Sequence, residues 1–287
     1  MKQYLKWAAK LLATGALLYW VFLQTDRESL FKALKGSNKV ALLLSFVPYL
    51  VSRVSGAMRL TAILNAIGVP LSQASGMRLN WVSMFYGMFL PGGLGGDAYK
   101  LIHLKRLSPD KGTLLLTRAL LWDRLIGLVL LVMITALFSM PYLSLNLRIL
   151  TFAVVLAGCI VFWLAGKRWF PEIIPRLGKL LALSSVVQSA QIFCICILLY
   201  SIQVYTDFGK YNLLFLISSA ASTLPISVGG IGVREVVFLK GAELLVIPTQ
   251  AAVTVSVLFD IIVTLAAATG CIPIIIKSRS GSSLKPN

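Results

Sequence analysis

Leu90-Pro91-Gly92-Gly93-Leu94-Gly95-Gly96-Asp97 interrupts an apolar stretch that begins at Met77. Leu224-Pro225-Ile226-Ser227-Val228-Gly229-Gly230-Ile231-Gly232 interrupts a second, which begins at Tyr211. Proline removes a backbone donor and glycine is the weakest ordinary helix former, so each stretch reads as a helix that breaks and restarts. The breaks match: Leu90-Pro91 aligns with Leu224-Pro225 and Gly95-Gly96 with Gly229-Gly230, both 134 residues apart. Downstream, Leu121-Trp122-Asp123-Arg124-Leu125-Ile126 resembles Leu258-Phe259-Asp260-Ile261-Ile262, now at an offset of 137. A three-residue insertion lies between, so Arg234 corresponds either to Lys100 or to Asp97. The chain reads as a duplication.

The surroundings of these breaks place them in a membrane. Of 287 residues 58% are apolar and 13% charged, and mean hydropathy is +0.86. A soluble domain carries roughly 25% charged residues, and this chain lacks the polar surface to cover its apolar excess. A soluble catalytic module, a disulfide scaffold and a disordered protein are excluded. At about 20 residues per crossing, uninterrupted spans are expected over Leu11–Leu23, Val40–Asn65, 112–139, 148–166, 182–204 and 249–276. The fold class is therefore all-α integral membrane: about six full transmembrane helices plus two re-entrant broken-helix hairpins in an inverted repeat. The expected organisation is one transmembrane domain over 1–277, with repeats of approximately 1–140 and 147–277, and a disordered cytoplasmic tail over 278–287.

Orientation follows from charge. The chain holds 27 Lys and Arg against 10 Asp and Glu, which in a polytopic protein reads as loop charge fixing topology rather than nucleic-acid binding. Lys2, Lys6 and Lys10 precede the first apolar run, which has no small-x-small cleavage site and is kept as an uncleaved helix starting in the cytoplasm. Two crossings then precede the first hairpin, which opens to the cytoplasm; three more precede the second, which opens to the outside. This layout puts about two-thirds of the Lys and Arg on the cytoplasmic side, as the positive-inside bias requires. Both termini are expected in the cytoplasm.

Several charges fall in or beside spans: Arg59, Arg78, Arg118, Asp123, Arg124, Arg234, Glu235 and Asp260. A central charge costs at least about 2.5–3.5 kcal/mol on insertion scales, so each asks for a partner or a function. Asp123 and Arg124 are adjacent and diverge by about 100° on a helix; Asp123 shares its stripe with Ala119 and Gly127. The bland reading is structural ion pairs between neighbouring helices, and for Asp97 a helix N-cap. The functional reading starts from the freed backbone of the breaks, which is tolerated at bilayer depth only beside protein or a wet cavity. Breaks and charges together describe a polar interior that prefers anions, arranged like an inverted-repeat transporter. Arg234 would add a planar donor suited to phosphate, with Glu235 neutralising it. Close helix packing alone would also account for single glycines. Cys159, Cys194, Cys196 and Cys271 read as packing residues, and His103 has no ligand-spaced companion, so no metal and no cofactor is expected.

The string from Asn80 through Leu90-Pro91-Gly92-Gly93-Leu94-Gly95-Gly96-Asp97-Ala98-Tyr99-Lys100, then Asp123-Arg124-Leu125-Ile126-Gly127, then Leu224 to Arg234-Glu235 resembles the lysylphosphatidylglycerol synthase transmembrane region, or flippase-like, family. This is the membrane half of multiple peptide resistance factors and of stand-alone bacterial and archaeal proteins. The resemblance covers nearly the whole chain. It implies an inner-membrane protein that moves a polar-headgroup lipid, a phospholipid or a polyprenyl-phosphate-linked lipid, between leaflets through a central cation-lined cavity.

It also implies that aminoacyl transfer belongs to a soluble C-terminal domain. This chain ends about ten residues after its last expected helix, so a transporter is expected and not a synthase. The expected substrate-binding residues are Asp97, Lys100, Arg118, Asp123, Arg124, Arg234, Glu235 and Asp260. The hairpin breaks are expected at Pro91, Gly92, Gly93, Gly95, Gly96, Pro225, Ser227, Gly229, Gly230 and Gly232. The expected partners are membrane lipids with an anionic headgroup and no nucleic acid, with a homo-oligomer left open. No Walker A sequence is present, so ATP is not expected to drive transport directly. The alternatives are a membrane enzyme or an accessory subunit of lipid or glycolipid synthesis, and a non-transporting scaffold.

Overall fold

A computed structural model describes residues 35–89, 95–223 and 232–273. The first apolar run, the tail, and the break residues Pro91, Gly92, Gly93, Pro225, Ser227, Gly229 and Gly230 lie outside the described residues. The described residues form nine α-helices and no strand: α1 (Lys39–Ala66), α2 (Gln73–Phe89), α3 (Gly95–Leu107), α4 (Thr113–Ser139), α5 (Leu145–Trp169), α6 (Leu177–Ser201), α7 (Phe208–Ser222), α8 (Val233–Leu245) and α9 (Thr249–Ala268). Five of them, α1, α4, α5, α6 and α9, are long and apolar enough to cross a membrane. The protein is an all-α, multi-pass membrane protein.

The long helices begin and end where the sequence supplies reasons. Asn38 caps α1, its side chain accepting from the N–H groups of Val40 and Ala41 at 3.0 and 3.2 Å. Pro141 ends α4 in a 3-10 turn, since proline cannot continue the ladder. Helix α5 buries only Gly166, as expected of a rod turned mostly to hydrocarbon. Its anchor is Trp122 of α4, stacked on Phe162 at 4.7 Å; a side chain at Gly166 would collide with that indole.

Helices α1 and α6 form the centre and run antiparallel. The N–H of Asn38 donates to Ser201 O at 2.8 Å at one end, and Arg59 Nη1 donates to Ser184 Oγ at 2.8 Å near the other. Around this pair the packing repeats: α2 lies on α1 as α7 lies on α6, α3 on α4 as α8 on α9, and α4 on α7 as α9 on α2. Exchanging the two sets maps one onto the other. Because α1 and α6 are antiparallel, the axis relating them lies across the helices, in the plane of a membrane, as in inverted repeats.

Over the described residues the hairpin arms are shorter than a typical crossing. α2 and α3 have 17 and 13 residues, α7 and α8 have 15 and 13, against about 20 for a crossing. The arms α2 and α3 meet where glycines permit: a Cβ on Gly96 would stand 2.5 Å from Ser83 O and 3.4 Å from Gly87 Cα. Tyr86 and Tyr99 pack at 4.7 Å one turn further out, so the arms run back along each other and α3 ends at the face where α2 began. Two apolar cores result. One gathers Leu60, Ile63, Leu64, Leu104, Leu116, Trp122 and Leu180 around the first hairpin. The other gathers Tyr49, Cys194, Leu198, Phe215, Phe238 and Phe259 around the second.

Candidate functional site

Both hairpins point their inner ends at charges halfway along a spanning helix. Asp123 and Arg124 lie ten and eleven residues into α4, about 15 Å from its start, which is half of a hydrocarbon core of about 30 Å. Asp260 lies eleven residues into α9, at a similar depth. In the first half, Asp97, in the first turn of α3, forms an ion pair with Arg124. In the second, Arg234, in the first turn of α8, pairs with Asp260, Nε to Oδ1 at 2.8 Å. Each half thus bridges its hairpin arm to the following helix, with opposite sign: through Arg124 in the first, and in the second through Asp260, which aligns with Asp123. Arg234 therefore occupies the place of Asp97, not of Lys100.

The divergence of Asp123 and Arg124 is realised. Asp123 turns to α1 and accepts from Arg59 Nε at 2.8 Å, while Arg124 turns to α3. Arg59 reaches across Gly127, where a Cβ would lie 3.2 Å from its Nη1, so the glycine one turn beyond Asp123 makes room for the guanidinium. Ser184 Oγ accepts the second hydrogen bond, from Arg59 Nη1 at 2.8 Å. Lys100 stands in the electrostatic field of Asp123, Asp97, Arg124 and Arg53. The Arg59–Asp123 side chains are only 10% and 13% exposed, whereas Arg124 and Asp97 are 47% and 29% exposed. The first hairpin's pair is accessible at mid-depth.

The second cluster is closed. Arg234, Glu235 and Asp260 are all buried, and the Arg234 guanidinium lies over the Phe259 ring at 4.7 Å and near Phe215 at 5.7 Å. Gly232, at φ +88°, takes a conformation that side chains disfavour. Its N–H donates to Glu235 Oε2 at 2.7 Å. Glu235 therefore satisfies an N-terminal donor of α8 and does more than neutralise its neighbour.

Between the two cores the α1–α6 pair carries a polar layer that sequence reasoning missed. Ser52, Ser55, Gln188 and Gln191 are buried, and interpolating between the Asn38–Ser201 and Arg59–Ser184 contacts sets Arg53 about level with Gln188. Arg53 Nε and Gln188 Oε1 are both buried without a hydrogen-bond partner. Unpaired groups at this depth ask for a polar ligand or water. The Arg53 guanidinium lies over the Tyr49 ring at 4.9 Å, and Tyr49 meets Phe259 edge-on at 5.8 Å. Cation and ring contacts thereby link the first cluster to Arg234. The available signal was the run of small polar residues inside α1 and α6, which a hydropathy reading passes over.

The chain matches the model of the lysylphosphatidylglycerol synthase TM region family over residues 7–176 and 167–270. The chain belongs to that family. A comparison with curated proteins gives no match.

Within this family member, the geometry sorts the expected residues. Asp97, Lys100, Asp123 and Arg124 come together in one cluster and Arg234, Glu235 and Asp260 in the other. Arg118 joins neither: its side chain is exposed on α4, about 140° around the helix from Asp123. Gly95 and Gly96 open α3, and Gly232 precedes α8. The four cysteines are free, and His103 stacks on Tyr99 at 5.9 Å. No cluster of metal-binding side chains occurs among the described residues.

Proposed function

We propose that this protein moves lipids with a phosphate-bearing headgroup, phospholipids or polyprenyl-phosphate-linked lipids, between the leaflets of the cell's inner membrane. The observation that carries this reading is the pair of non-spanning hairpins whose inner ends meet mid-depth charges from opposite faces, through Asp97–Arg124 and Arg234–Asp260. Paired half-helices ending at the midplane are the recurrent build of alternating-access transporters, and the arginines supply planar donors for phosphate.

In this reading the half-exposed Arg124, beside Asp97 and Lys100, receives the headgroup while the acyl or prenyl chains stay in lipid. Arg53 and the buried serines and glutamines of α1 and α6 carry it across the centre, and Arg234 receives it from the other side. Rocking of one repeat against the other opens each hairpin's face in turn. In this reading the face bearing Lys105, Arg106, Lys111, Lys167, Arg168, Arg176 and Lys179 is the cytoplasmic one, and both termini are expected on that side. The chain acts as a transporter and catalyses no transfer to the lipid.

A leaflet-resolved assay in proteoliposomes, presenting labelled phospholipids and polyprenyl phosphates in turn, tests this. At least one class should cross faster than in protein-free vesicles, and Arg124→Ala should abolish the difference. If every lipid crosses at the protein-free rate and none binds, the transport reading fails.

A further inference from the structure

The second cluster holds one carboxyl group more than its arginine can balance. Asp260 Oδ1 faces Arg234 Nε at 2.8 Å. Glu235 Oε2 accepts from Gly232 N at 2.7 Å, and Oε1 has Ser256 Oγ at 3.5 Å. Asp260 Oδ2 is buried with no donor assigned to it, and Arg234 Nη1 is buried without a partner. Two buried acids, Glu235 and Asp260, thus share a closed pocket with the one guanidinium of Arg234.

The charge count agrees. With both acids ionised the pocket would hold a net negative charge, at a depth where an unbalanced charge is expensive. Among the described residues, Tyr49 from α1 lies in the field of both Arg234 and Asp260, and Arg53 from α1 and Cys194 from α6 lie around Tyr49 in turn. Arg53 is the sole further cation among them. It lies beyond the Tyr49 ring, and Asp97 and Asp123 already draw on the same first cluster. The first half offers the control. Asp123 meets one arginine and Ser184 supplies a hydroxyl, and the position matching Glu235 is Ala98. There the charges balance without a proton.

We propose that Glu235 and Asp260 form a proton-binding site that holds a single shared proton beside Arg234. Asp260 Oδ2 is the oxygen left for it. One proton makes the pocket neutral, with Arg234 engaged by Asp260. When an anionic headgroup displaces Asp260 from Arg234, a second proton on the pair keeps the pocket neutral, and its loss returns Arg234 to Asp260. This last step rests on the transport reading; the shared proton does not.

Difference infrared spectroscopy of the full chain in lipid nanodiscs near neutral pH tests the proton directly. The wild type should show a protonated-carboxyl stretch that Glu235→Gln and Asp260→Asn each remove, because either variant leaves one carboxylate for one arginine. Glu235→Gln keeps an oxygen to accept from Gly232, so it serves even if Asp260→Asn fails to fold. If Glu235→Gln removes no protonated-carboxyl signal, the proposal is overturned whatever the protein transports.

A second arm imposes a gradient of one pH unit across proteoliposomes. Wild-type lipid asymmetry should respond by up to about tenfold for one proton per lipid, and Glu235→Gln should not respond. A carboxyl signal with no lipid transport upholds the proton site and sinks the transport reading. Transport indifferent to the gradient in the wild type overturns the coupling.

Discussion

Replacing Arg59 by methionine tests the assignment of the first cluster as a balanced, buried ion pair. The guanidinium is 2.8 Å from Asp123, both side chains are nearly enclosed, and the only other polar contact described for it is Ser184 at 2.8 Å. Removing one partner of a buried pair typically costs about 3–5 kcal/mol, because the other charge is left uncompensated. Lys100 remains in the field of Asp123, so the lower end, about 3 kcal/mol, is expected. Asp123→Asn should cost at least as much, since Arg59 loses its carboxylate partner and Lys100 one of the two negative charges near it. The double variant Arg59→Met with Asp123→Leu should recover most of the loss, because two apolar groups at hydrocarbon depth leave nothing unpaired. Reversible unfolding in mixed micelles reads these differences; about 3 kcal/mol is more than a hundredfold in the folding equilibrium. Arg59→Met lying within about 1 kcal/mol of wild type, or a double variant no better than the sum of its singles, would refute the pairing.

Gly96→Ala should destabilise the first hairpin by about 1–3 kcal/mol, because its methyl meets the backbone oxygen of Ser83. Gly241→Ala meets only the end of Leu214 and should cost less; thermal unfolding of the two variants side by side checks the order. Reversing either charge of the accessible pair, Asp97→Arg or Arg124→Asp, should lower the yield of folded protein on size-exclusion chromatography, and making both reversals together should restore it. A double reversal as poor as its singles would mean the two side chains do not depend on each other. Arg53→Leu, with its Nε already lacking a partner, should leave thermal stability within about 1 kcal/mol while slowing lipid movement at least tenfold, measured by the leaflet-resolved assay.

The helices were legible because hydrocarbon demands length and apolarity, and those properties are additive along a sequence. The expected span of 112–139 is observed at Thr113–Ser139 and that of Val40–Asn65 at Lys39–Ala66. Which charge meets which was not legible. Asp123 and Arg124 could be seen to diverge, but that Asp123 would turn to α1 and Arg124 to α3 depends on helix packing, which hydropathy does not encode. Arg118 was grouped with the site because the sequence shows its proximity to Asp123 and hides its rotation about the helix. The polar layer of Ser52, Arg53, Gln188 and Gln191 stayed hidden for a related reason. Each lies in a helix apolar enough to cross, and only the antiparallel register of α1 against α6 sets them at one level.

The reversed sign of the two hairpin bridges separates their roles. A helix N-terminus carries a partial positive charge from its free N–H groups. Asp97 in the first turn of α3 is therefore placed where a carboxylate is stabilised twice, by the helix and by Arg124, and its presence needs no further explanation. Arg234 in the first turn of α8 is placed where the helix itself repels it. That position is sustained by Asp260 from the next helix and by Glu235, which binds the Gly232 N–H and adds negative charge at the same terminus. A cation held against its helix by two acids is poised to exchange one of them for an incoming anion, because the backbone donors around it favour that anion as well. An aspartate at the equivalent place could not make that exchange. Under the proposed transport, the second hairpin is then the half in which anion recognition is built, and the first, with its half-exposed Arg124, is the half through which the headgroup is presented.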